Sequence, residues 1–143
     1  MTRAPTPVIA AVITRDGRFL AGRRPPEKRH GGRWEFPGGK VHEGESIVAA
    51  AARELAEELA LEAVRIGAPL FAAHDEGAPF EIHFVPVEAA GHPQPREHTE
   101  IGWFTISELA GMPLAPADAR FVEHLASSPE IAEDGPQRER ADD

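Results

Sequence analysis

One segment of the chain, residues 46–60, constrains the fold most, because it is strongly helical and carries two different faces. Ser46 can cap its first turn, and the alanine, arginine, glutamate and leucine residues that follow favour a helix. A helix turns by about 100° per residue, so Glu54, Glu57 and Glu58 share one face within an arc of about 100°. The adjacent face carries the apolar side chains that we expect in the core: Val48, Ala51, Ala52, Leu55 and Leu59. The segment therefore predicts a helix with a core stripe beside a carboxylate stripe.

The row of glutamates admits two interpretations. The first is an ordinary solvated face, because glutamate is a good helix former. The second is a cation site, since no lysine stands four residues after these acids to pair with them. Gly38, Gly39 and Glu45 also precede the helix at a fixed spacing. Clustered carboxylates bind Mg²⁺, which completes its coordination with water and substrate phosphates, so the pattern favours a magnesium site that handles phosphates.

Length, charge and cysteine content narrow the class of protein. A chain of 143 residues is typical of one domain, which we expect to span residues 1–127. The absence of cysteine excludes disulfides, zinc–thiolate sites, iron–sulfur clusters and a cysteine nucleophile. A net charge of −9, from 24 acids and 15 bases, disfavours duplex nucleic acid as a partner. No apolar run approaches the roughly 18 residues that span a bilayer, so we expect a cytoplasmic protein with no membrane partner.

The strand patterns predict an α+β fold, because they are broken by helices that lie far apart in the sequence. The Asp16-Gly17 pair indicates a hairpin between the first two strands. Pro86 indicates that its strand lies at an edge or carries a bulge. The expected strands are Val8–Thr14, Arg18–Gly22, Trp34–Phe36, Glu62–His74 (irregular at Gly67 and Pro69), Phe80–Glu88 and Ile101–Ile106.

The last third of the chain predicts two more helices and a tail. The first helix is expected to start at Ser107–Ala110, with Ser107 as its cap. The second is expected over Pro116–Ser127, with its proline in the first turn. The acidic segment 128–143 has few apolar residues, so we expect it to be disordered.

The segment around the glutamate helix resembles a known family motif. Gly39 is followed after five residues by Glu45, and after seven more by Arg53-Glu54-Leu55-Ala56-Glu57-Glu58-Leu59-Ala60-Leu61. This spacing resembles the Nudix box, G-x5-E-x7-R-E-U-x-E-E-x-G-U, in which U is a bulky aliphatic residue. The one departure is Ala60, which stands where the box has glycine. Alanine in the left-handed conformation that suits glycine costs on the order of 1 kcal/mol, so either the helix ends differently or a small strain is tolerated.

The resemblance implies a Nudix α/β/α sandwich, in which a mixed sheet lies between helices and the box forms a loop–helix–loop. It also implies Mg²⁺, or Mn²⁺ in its place, as the cofactor. The implied metal ligands on the helix are Glu54, Glu57 and Glu58, and the carbonyl of Gly39 is an implied extra ligand. Bound in this way, the metal would polarise phosphoryl oxygens and lower the pKa of a bound water.

Four further positions have roles implied by the resemblance. Glu97 stands like the distal loop glutamate that completes the metal site or acts as a base in the MutT-type branch, with Glu100 as a close competitor. Arg53 is expected to orient the carboxylates by charge-assisted hydrogen bonds, and we group it with the catalytic residues. Glu45 is expected to pair with Arg53, and Gly38 to have a supporting structural role.

Two segments bear on the substrate. Trp34–Val41 resembles the segment that leads into the box in the MutT-type branch, and Pro113–Asp118 resembles a base-recognition segment of MutT-type and cytidine-nucleotide pyrophosphohydrolases. Asp118, as a carboxylate, would accept hydrogen bonds from a base, although an acid is also favourable near a helix N-terminus. The remaining candidates are Arg24 and Lys40, as phosphate contacts or solvated cations, and Phe36, Trp34 and Phe80, as partners that stack on a base or as core residues.

The resemblance implies an enzyme that converts a nucleoside triphosphate to the monophosphate and pyrophosphate, and so removes damaged or modified nucleotides. The candidate substrates are 8-oxo-dGTP and the cytidine set of CTP, dCTP and 5-substituted dCTP, with Pro113–Asp118 slightly favouring the cytidine set. The alternatives are a hydrolase of dinucleoside polyphosphates or other nucleoside diphosphate derivatives, and a Nudix-fold nucleotide-binding module without catalysis. Degenerate modules usually lose box glutamates, whereas this chain retains them. We expect a monomer or a homodimer.

Overall fold

The computed structural model describes residues 4–75 and 77–127. The predicted tail, 128–143, lies outside the described residues, so its expected disorder remains a prediction. Within the described part, the strands form one eight-stranded sheet. The elements are β1 (Thr6–Arg15), β2 (Arg18–Arg23), β3 (Trp34–Glu35), β4 (Gly38–Lys40), α1 (Ile47–Leu59), β5 (Glu62–Ile66), β6 (Phe71–Asp75), β7 (Phe80–Ala90), β8 (Glu100–Phe104), α2 (Ile106–Ala110) and α3 (Pro116–Ala126).

Strand β1 lies inside the sheet and has three partners. It pairs in parallel with β7, and antiparallel with β4 near its start and with β2 at its end. β2 also pairs with β3 and β8, and β7 also pairs with β5 and β6. Arg15 stands opposite Arg18 across the Asp16-Gly17 turn, as the predicted hairpin requires. The mixed sheet with helices confirms the predicted α+β class.

Helices cover both faces of the sheet. Successive side chains of β1 point to opposite faces, so this strand contributes to a core on each side. On one face, Ile9, Ala11 and Ile13 pack in a core that also contains Leu55 and Leu59 of α1. The core on the other face lies against α2 and α3 and includes Ala10, Val12, Phe84, Leu109 and Phe121. This layering is the expected α/β/α sandwich. None of the described helices is long and apolar enough to cross a membrane.

Helix α1 begins as predicted but buries a different arc. Its N-cap is Ser46, whose side chain accepts a hydrogen bond from the Ala49 N–H. Val48, expected in the core, is 54% exposed, so that expectation is wrong. The buried arc is instead shifted toward the acidic side, because Gly39 of β4 has no side chain and lets Glu54 approach the sheet. The buried residues of the helix are Ala50, Ala51, Glu54, Leu55, Glu58 and Leu59.

Ala60, the one departure from the motif, ends α1 in the left-handed conformation. Its φ and ψ are 59° and 33°, and its N–H donates to the Ala56 carbonyl at 3.2 Å. The helix therefore ends as a glycine would end it, and the chain tolerates the small strain of an alanine in this region.

The segment predicted as one strand over Glu62–His74 forms two. β5 ends at Ile66 and β6 begins at Phe71, and Pro69 between them has no N–H to give to a sheet ladder. Both strands pair with β7, β5 with its end and β6 with its start. The break that the sequence marks as irregular is therefore a change of strand.

Pro86 lies in a strand with partners on both sides, so the expected edge position is wrong. On one side it stands opposite Val12 of β1. On the other side the Leu70 N–H donates to the Phe84 carbonyl and the Gly67 N–H to the Pro86 carbonyl. The partner of β7 therefore changes from β6 to β5 at this point. Proline is tolerated there because, in the gap between β6 and β5, the ladder requires no hydrogen bond from the backbone nitrogen of position 86.

The cap predicted for the short helix α2 is wrong by two residues. Thr105 is the N-cap, with the Glu108 side chain accepting in return from the Thr105 N–H. This capping box follows the Thr-x-x-Glu pattern, which is visible in the sequence. Helix α3 starts at Pro116 as predicted, since proline is well suited to a first helical position.

Candidate active site

Two glycines of β4 let its backbone lie close to β1 on one side and to α1 on the other. A side chain at Gly38 would collide with the Ile9 carbonyl, and one at Gly39 would collide with the Glu54 carboxylate. Both positions therefore require the close approach that only glycine allows. This geometry supports the structural role expected for Gly38, and it brings the backbone at Gly39 beside a glutamate of the helix.

Arg53 joins the loop before α1 to the glutamates on it. Its guanidinium donates to both carboxylate oxygens of Glu45, at 2.8 and 2.9 Å, and to Glu54 at 2.9 Å. A longer contact of 3.4 Å reaches Glu57, and another bond reaches the Lys40 carbonyl at 3.0 Å. Arg53 therefore contacts acids and backbone rather than the cleft, which makes it a positioning residue.

Glu45 is fixed as an anion by these contacts. The Arg53 guanidinium and the His42 N–H donate to it, and together they lower the pKa of Glu45 from 4.5 to about 2. The same hydrogen bonds raise the pKa of Arg53 further above its usual range. The expected Glu45–Arg53 pair is therefore present, and it holds the loop on the first turns of the helix.

Glu58 is the most perturbed acid of α1. Burial, reinforced by the nearby charges of Glu54, Glu97 and Glu35, raises its pKa from 4.5 to about 9. Its buried Oε1 has no hydrogen-bond partner among the described residues. Glu57, by contrast, has a side chain that is 58% exposed. We call Glu54, Glu57, Glu58 and Glu97 the carboxylate cluster.

The structure separates the two candidates for the distal acid. Glu97 lies close enough to Glu58 to raise its pKa electrostatically. Glu100 is on β8, where its carboxylate lies 3.4 Å from Nη1 of Arg23. Glu100 is therefore engaged in a surface ion pair, and Glu97 is the better candidate.

The carboxylate cluster fits a divalent cation by its chemistry. A cation would satisfy the partnerless Oε1 of Glu58 and offset the charges around it. The described residues do not, however, include three acidic or histidine side chains already closed around one point. One reason is that Arg53 occupies an oxygen of Glu54 and of Glu57. The donors are present, while the ligand geometry is not formed.

A cleft beside β4 contains the predicted phosphate contacts. Arg24, Gly39 and Lys40 line it. Nη1 of Arg24 lies 2.9 Å from the Glu35 carboxylate, so a salt bridge holds the guanidinium at the cleft. Lys40 is exposed, and its Nζ lies 5.0 Å from the centre of the Phe80 ring. Both cations can therefore meet an anionic ligand.

Phe36 and Phe80 differ in their access to the cleft. Phe36 is only 3% exposed, and its ring packs edge-on against Phe19, Phe84 and Phe121. Phe36 also lines the cleft, but its burial favours the core role over stacking on a base, the two alternatives that the sequence left open. Phe80 is partly exposed and lines the cleft, so it is the better partner for a base.

Asp118 lines the cleft from the first turn of α3 and is also a structural link. Its Oδ2 accepts a hydrogen bond from the Phe36 N–H at 2.9 Å. The residue is 5% exposed, and burial, reinforced by the Glu35 charge, raises its pKa well above the usual 3.8. The raised pKa favours the protonated carboxyl, which, unlike the carboxylate expected from the sequence, can also donate a hydrogen bond.

Three cleft residues lie outside the predicted set. Asp75, at the end of β6, is 8% exposed. Nε2 of His30 lies 3.2 Å from it, and Nε of Arg29 lies 3.4 Å from it. His30 also has a positive φ of 59°. No spacing in the sequence indicates this contact, because it forms where the loop 24–33 folds back onto β6.

Comparison with known proteins identifies the family. Residues 4–125 match the family model of the NUDIX domain. The chain is 40% identical over 120 residues to the CTP pyrophosphohydrolase of Escherichia coli K12, covering 81% of this chain and 87% of that protein. It is 37% identical over 128 residues to a Mycobacterium tuberculosis protein with the provisional name 8-oxo-dGTP diphosphatase 2, covering 83% and 86%.

Solved structures agree with the sequence matches. The solution structure of the E. coli ORF135 protein superimposes with a TM-score of 0.72 at 37% identity, covering 85% of this chain and 91% of that one. The crystal structure of a MutT NUDIX hydrolase from Burkholderia pseudomallei gives a TM-score of 0.75 at 30% identity, covering 85% and 98%.

The chain therefore belongs to the Nudix family, as the motif from Gly39 to Leu61 indicates. Within that family it is a pyrophosphohydrolase with the fold of the MutT enzymes, which confirms the predicted enzyme class. Nudix hydrolases generally use divalent metal ions, and the chemistry of the carboxylate cluster fits that requirement.

Proposed function

We propose that the enzyme hydrolyses a nucleoside triphosphate to the monophosphate and pyrophosphate, with Mg²⁺ as its metal and Mn²⁺ as a substitute. The observation that carries this proposal is Glu58, a buried acid with a partnerless oxygen among other acids. When bound, the metal would offset phosphoryl charge and lower the pKa of water. The residues that would hold it are Glu54, Glu57, Glu58, Glu97 and the carbonyl of Gly39.

The other residues of the site bind and orient. Arg53 holds the carboxylates of Glu54 and Glu57 on one face of the helix, where a metal would gather them. Arg24 and Lys40 provide positive charge to the phosphates at the cleft. Glu97, at the exposed side of the cluster, is either a metal ligand or the group that accepts the proton of the attacking water.

Asp118 would read the base. A neutral carboxyl presents one O–H donor and one carbonyl acceptor side by side. Cytosine offers a matching pair in its N3 acceptor and its N4 amine. 8-Oxoguanine offers another, in its O6 acceptor and N7–H donor, whereas unmodified guanine has no donor at N7. In the protonated form that its raised pKa favours, Asp118 would therefore match both candidate substrates better than dGTP, and Phe80 would contact the ring of either base.

The two relatives favour the same two candidates. The relative named CTP pyrophosphohydrolase is 40% identical, and the one named 8-oxo-dGTP diphosphatase 2 is 37% identical. Pro113–Asp118, which resembles the base-recognition segment of the cytidine branch, tilts the proposal to cytidine nucleotides. Because this substrate class belongs to the nucleotide pool, we place the enzyme in the cytoplasm, as a monomer or homodimer without a duplex nucleic-acid or membrane partner.

The test is pyrophosphate release with Mg²⁺ from 8-oxo-dGTP, dGTP, CTP, dCTP, 5-methyl-dCTP and diadenosine tetraphosphate. We expect the highest kcat/KM with a cytidine nucleotide and the next with 8-oxo-dGTP. A preference for diadenosine tetraphosphate would replace the triphosphatase proposal by the dinucleoside polyphosphate alternative. Nucleotide binding without any turnover would favour the non-catalytic module.

A further inference from the structure

His98 is buried although it lies in an exposed loop. Its side chain is 4% exposed, whereas Glu97 and Thr99 on either side of it are exposed. Nε2 of His98 lies 3.0 Å from one oxygen of Glu35. The other oxygen of Glu35 accepts from Arg24 at 2.9 Å. A single carboxylate thus connects the loop of Glu97 to a cation of the cleft.

Gly22 of β2 provides the space that the His98 ring occupies. A β-carbon at position 22 would lie 2.5 Å from Cγ and 2.7 Å from Nδ1 of the ring, a separation that real contacts do not reach. The ring therefore lies directly on the backbone of β2. Beside it, the Thr99 N–H donates to the Arg23 carbonyl at 3.0 Å. The chain that follows Glu97 is thus fixed to β2.

The chain that precedes Glu97 is fixed to α1. The Arg96 N–H donates to the Glu58 carbonyl at 3.1 Å, and the Arg96 guanidinium donates to the Ala56 carbonyl at 3.1 Å. Glu97 is therefore held from both sides, by α1 before it and by β2 and β3 after it. Without the His98 contacts, the chain after Glu97 would be fixed to β2 only from Thr99 onward, through Thr99 and the pairing of β8.

We propose that His98 is a positioning residue, which holds the Glu97 carboxylate at the cluster by lying on Gly22 and bonding to Glu35. The inference rests on the proposed role of Glu97 in the metal site. The proposed role of His98 differs from that of an ordinary core histidine, which would stabilise the fold without acting on Glu97. The two roles predict different metal affinities.

The test is a double-mutant cycle on Mn²⁺ affinity, measured by calorimetry on the full chain without nucleotide. His98→Phe keeps a ring but loses the nitrogen that meets Glu35, and Glu97→Gln removes the carboxylate charge. We expect each change alone to weaken Mn²⁺ binding about tenfold, in the range known for residues that orient metal ligands. The double variant should bind Mn²⁺ no more weakly than Glu97→Gln does, because both substitutions remove the same contribution, that of the Glu97 carboxylate.

A conservative variant and a matched control complete the design. His98→Gln retains a donor near the position of Nε2 and should restore most of the Mn²⁺ affinity. His83→Phe removes another histidine that lies 3.5 Å from a glutamate, in this case Glu81, which is not a member of the carboxylate cluster, and should bind Mn²⁺ as the wild type does. If His98→Phe does not fold, Gly22→Ala displaces the ring and should give the same loss.

The proposal is overturned if His98→Phe or Gly22→Ala lowers thermal stability but leaves Mn²⁺ affinity unchanged. It is also overturned if the losses of His98→Phe and Glu97→Gln multiply in the double variant. With an active substrate, we further expect kcat to fall about tenfold in His98→Phe while KM changes less than about twofold. If the wild type hydrolyses no tested nucleotide, the proposed function fails, whereas the Mn²⁺ cycle still decides the role of His98.

Discussion

The carboxylate cluster and the cleft beside it are built in opposite ways. Three members of the cluster lie within one helix, and the arginine that orients them precedes the first of them directly. The cleft takes side chains from loop 24–33 and from β4, β6, β7 and α3, which meet only when the sheet forms. The cluster is therefore encoded by local spacing, and the cleft by long-range pairing.

This difference also separates the two tasks of the enzyme. Phosphoryl chemistry requires a fixed group of acids, and one helix with a capped start can supply it. In the proposed function, base selection would depend on groups such as Asp118, Asp75 and Phe80, which come from separate loops and strand ends. Changes in the cleft can therefore alter the substrate while the cluster remains intact.

The largest effect is expected from removing a charge of the cluster. Glu57→Gln should lower kcat about 10³-fold, because charge stabilisation at such a site supplies several kcal/mol and each 1.36 kcal/mol is about tenfold in rate. Glu57 is exposed, so the thermal midpoint should change little. Steady-state kinetics and a melting curve measure both quantities.

The exposed acid Glu62 provides the control for that loss. Glu62→Gln makes the same chemical change on β5 and should leave kcat within about twofold, as expected for a surface change. Equal losses in the two variants would show that the effect is one of overall charge, and the comparison between cluster and cleft would lose its basis.

In the cleft we expect a smaller effect, which falls on substrate selectivity and not on turnover. Asp118→Ala should lower the preference for 8-oxo-dGTP over dGTP, measured as the ratio of their kcat/KM values, by about 10- to 100-fold, the range for an unpaired buried polar group on the base. Asp118→Asn keeps one donor and one acceptor and should change the ratio less. A uniform loss for all substrates in both variants would assign Asp118 to the fold alone.

The raised pKa of Asp118 also has a consequence for stability. Because burial raises its pKa above 3.8, the folded protein keeps a proton that the unfolded chain releases as the pH rises. Stability therefore falls through this group from about pH 4 upward. The thermal midpoint of Asp118→Asn, relative to that of the wild type, should rise between pH 4 and pH 8. A difference that is flat over this range would contradict the protonated carboxyl.

The contrast between local spacing and long-range pairing also explains which features could be predicted from the sequence. The cap at Ser46, the shared face of the glutamates and the Glu45–Arg53 pair follow from residues close in the chain. The burial of Glu54 does not, because it depends on Gly39 lying against the helix from another strand. The contact of Asp75 with His30 likewise forms only when β6 meets a distant loop.

Some errors had a signal that was present in the sequence. The pattern of Thr105 and Glu108 is a capping box, and it marks the start of α2 better than Ser107 does. Pro86 is different, because proline does favour edge strands. Only the change of partner from β6 to β5 explains why a strand with two neighbours accepts it.

A moderate effect is expected at the base of the cluster. Glu45→Gln should lower kcat/KM about tenfold, since it weakens the residue that orients the ligands. The pKa of Glu45 is lowered from 4.5 to about 2 by Arg53, so its contribution to stability is present above pH 4.5 and lost as the pH falls through 2. The melting difference between variant and wild type should therefore shrink from pH 6 to pH 2. Glu43→Gln, in the same loop, should show neither effect.

The smallest effect is expected at the end of α1, where the motif departs from glycine. Ala60 has a φ of 59°, so Ala60→Gly removes a steric cost and should stabilise the fold by about 1 kcal/mol, or roughly 2–4 °C in melting temperature. Ala56→Gly, the same substitution on an exposed position within α1, should destabilise it by about 1 kcal/mol. Opposite signs from one substitution four residues apart would show that backbone conformation, and not loss of a methyl group, governs this site. Catalysis should be unchanged in Ala60→Gly, since the substitution leaves every carboxylate of the cluster in place, and a tenfold change in kcat would instead tie the helix end to the chemistry.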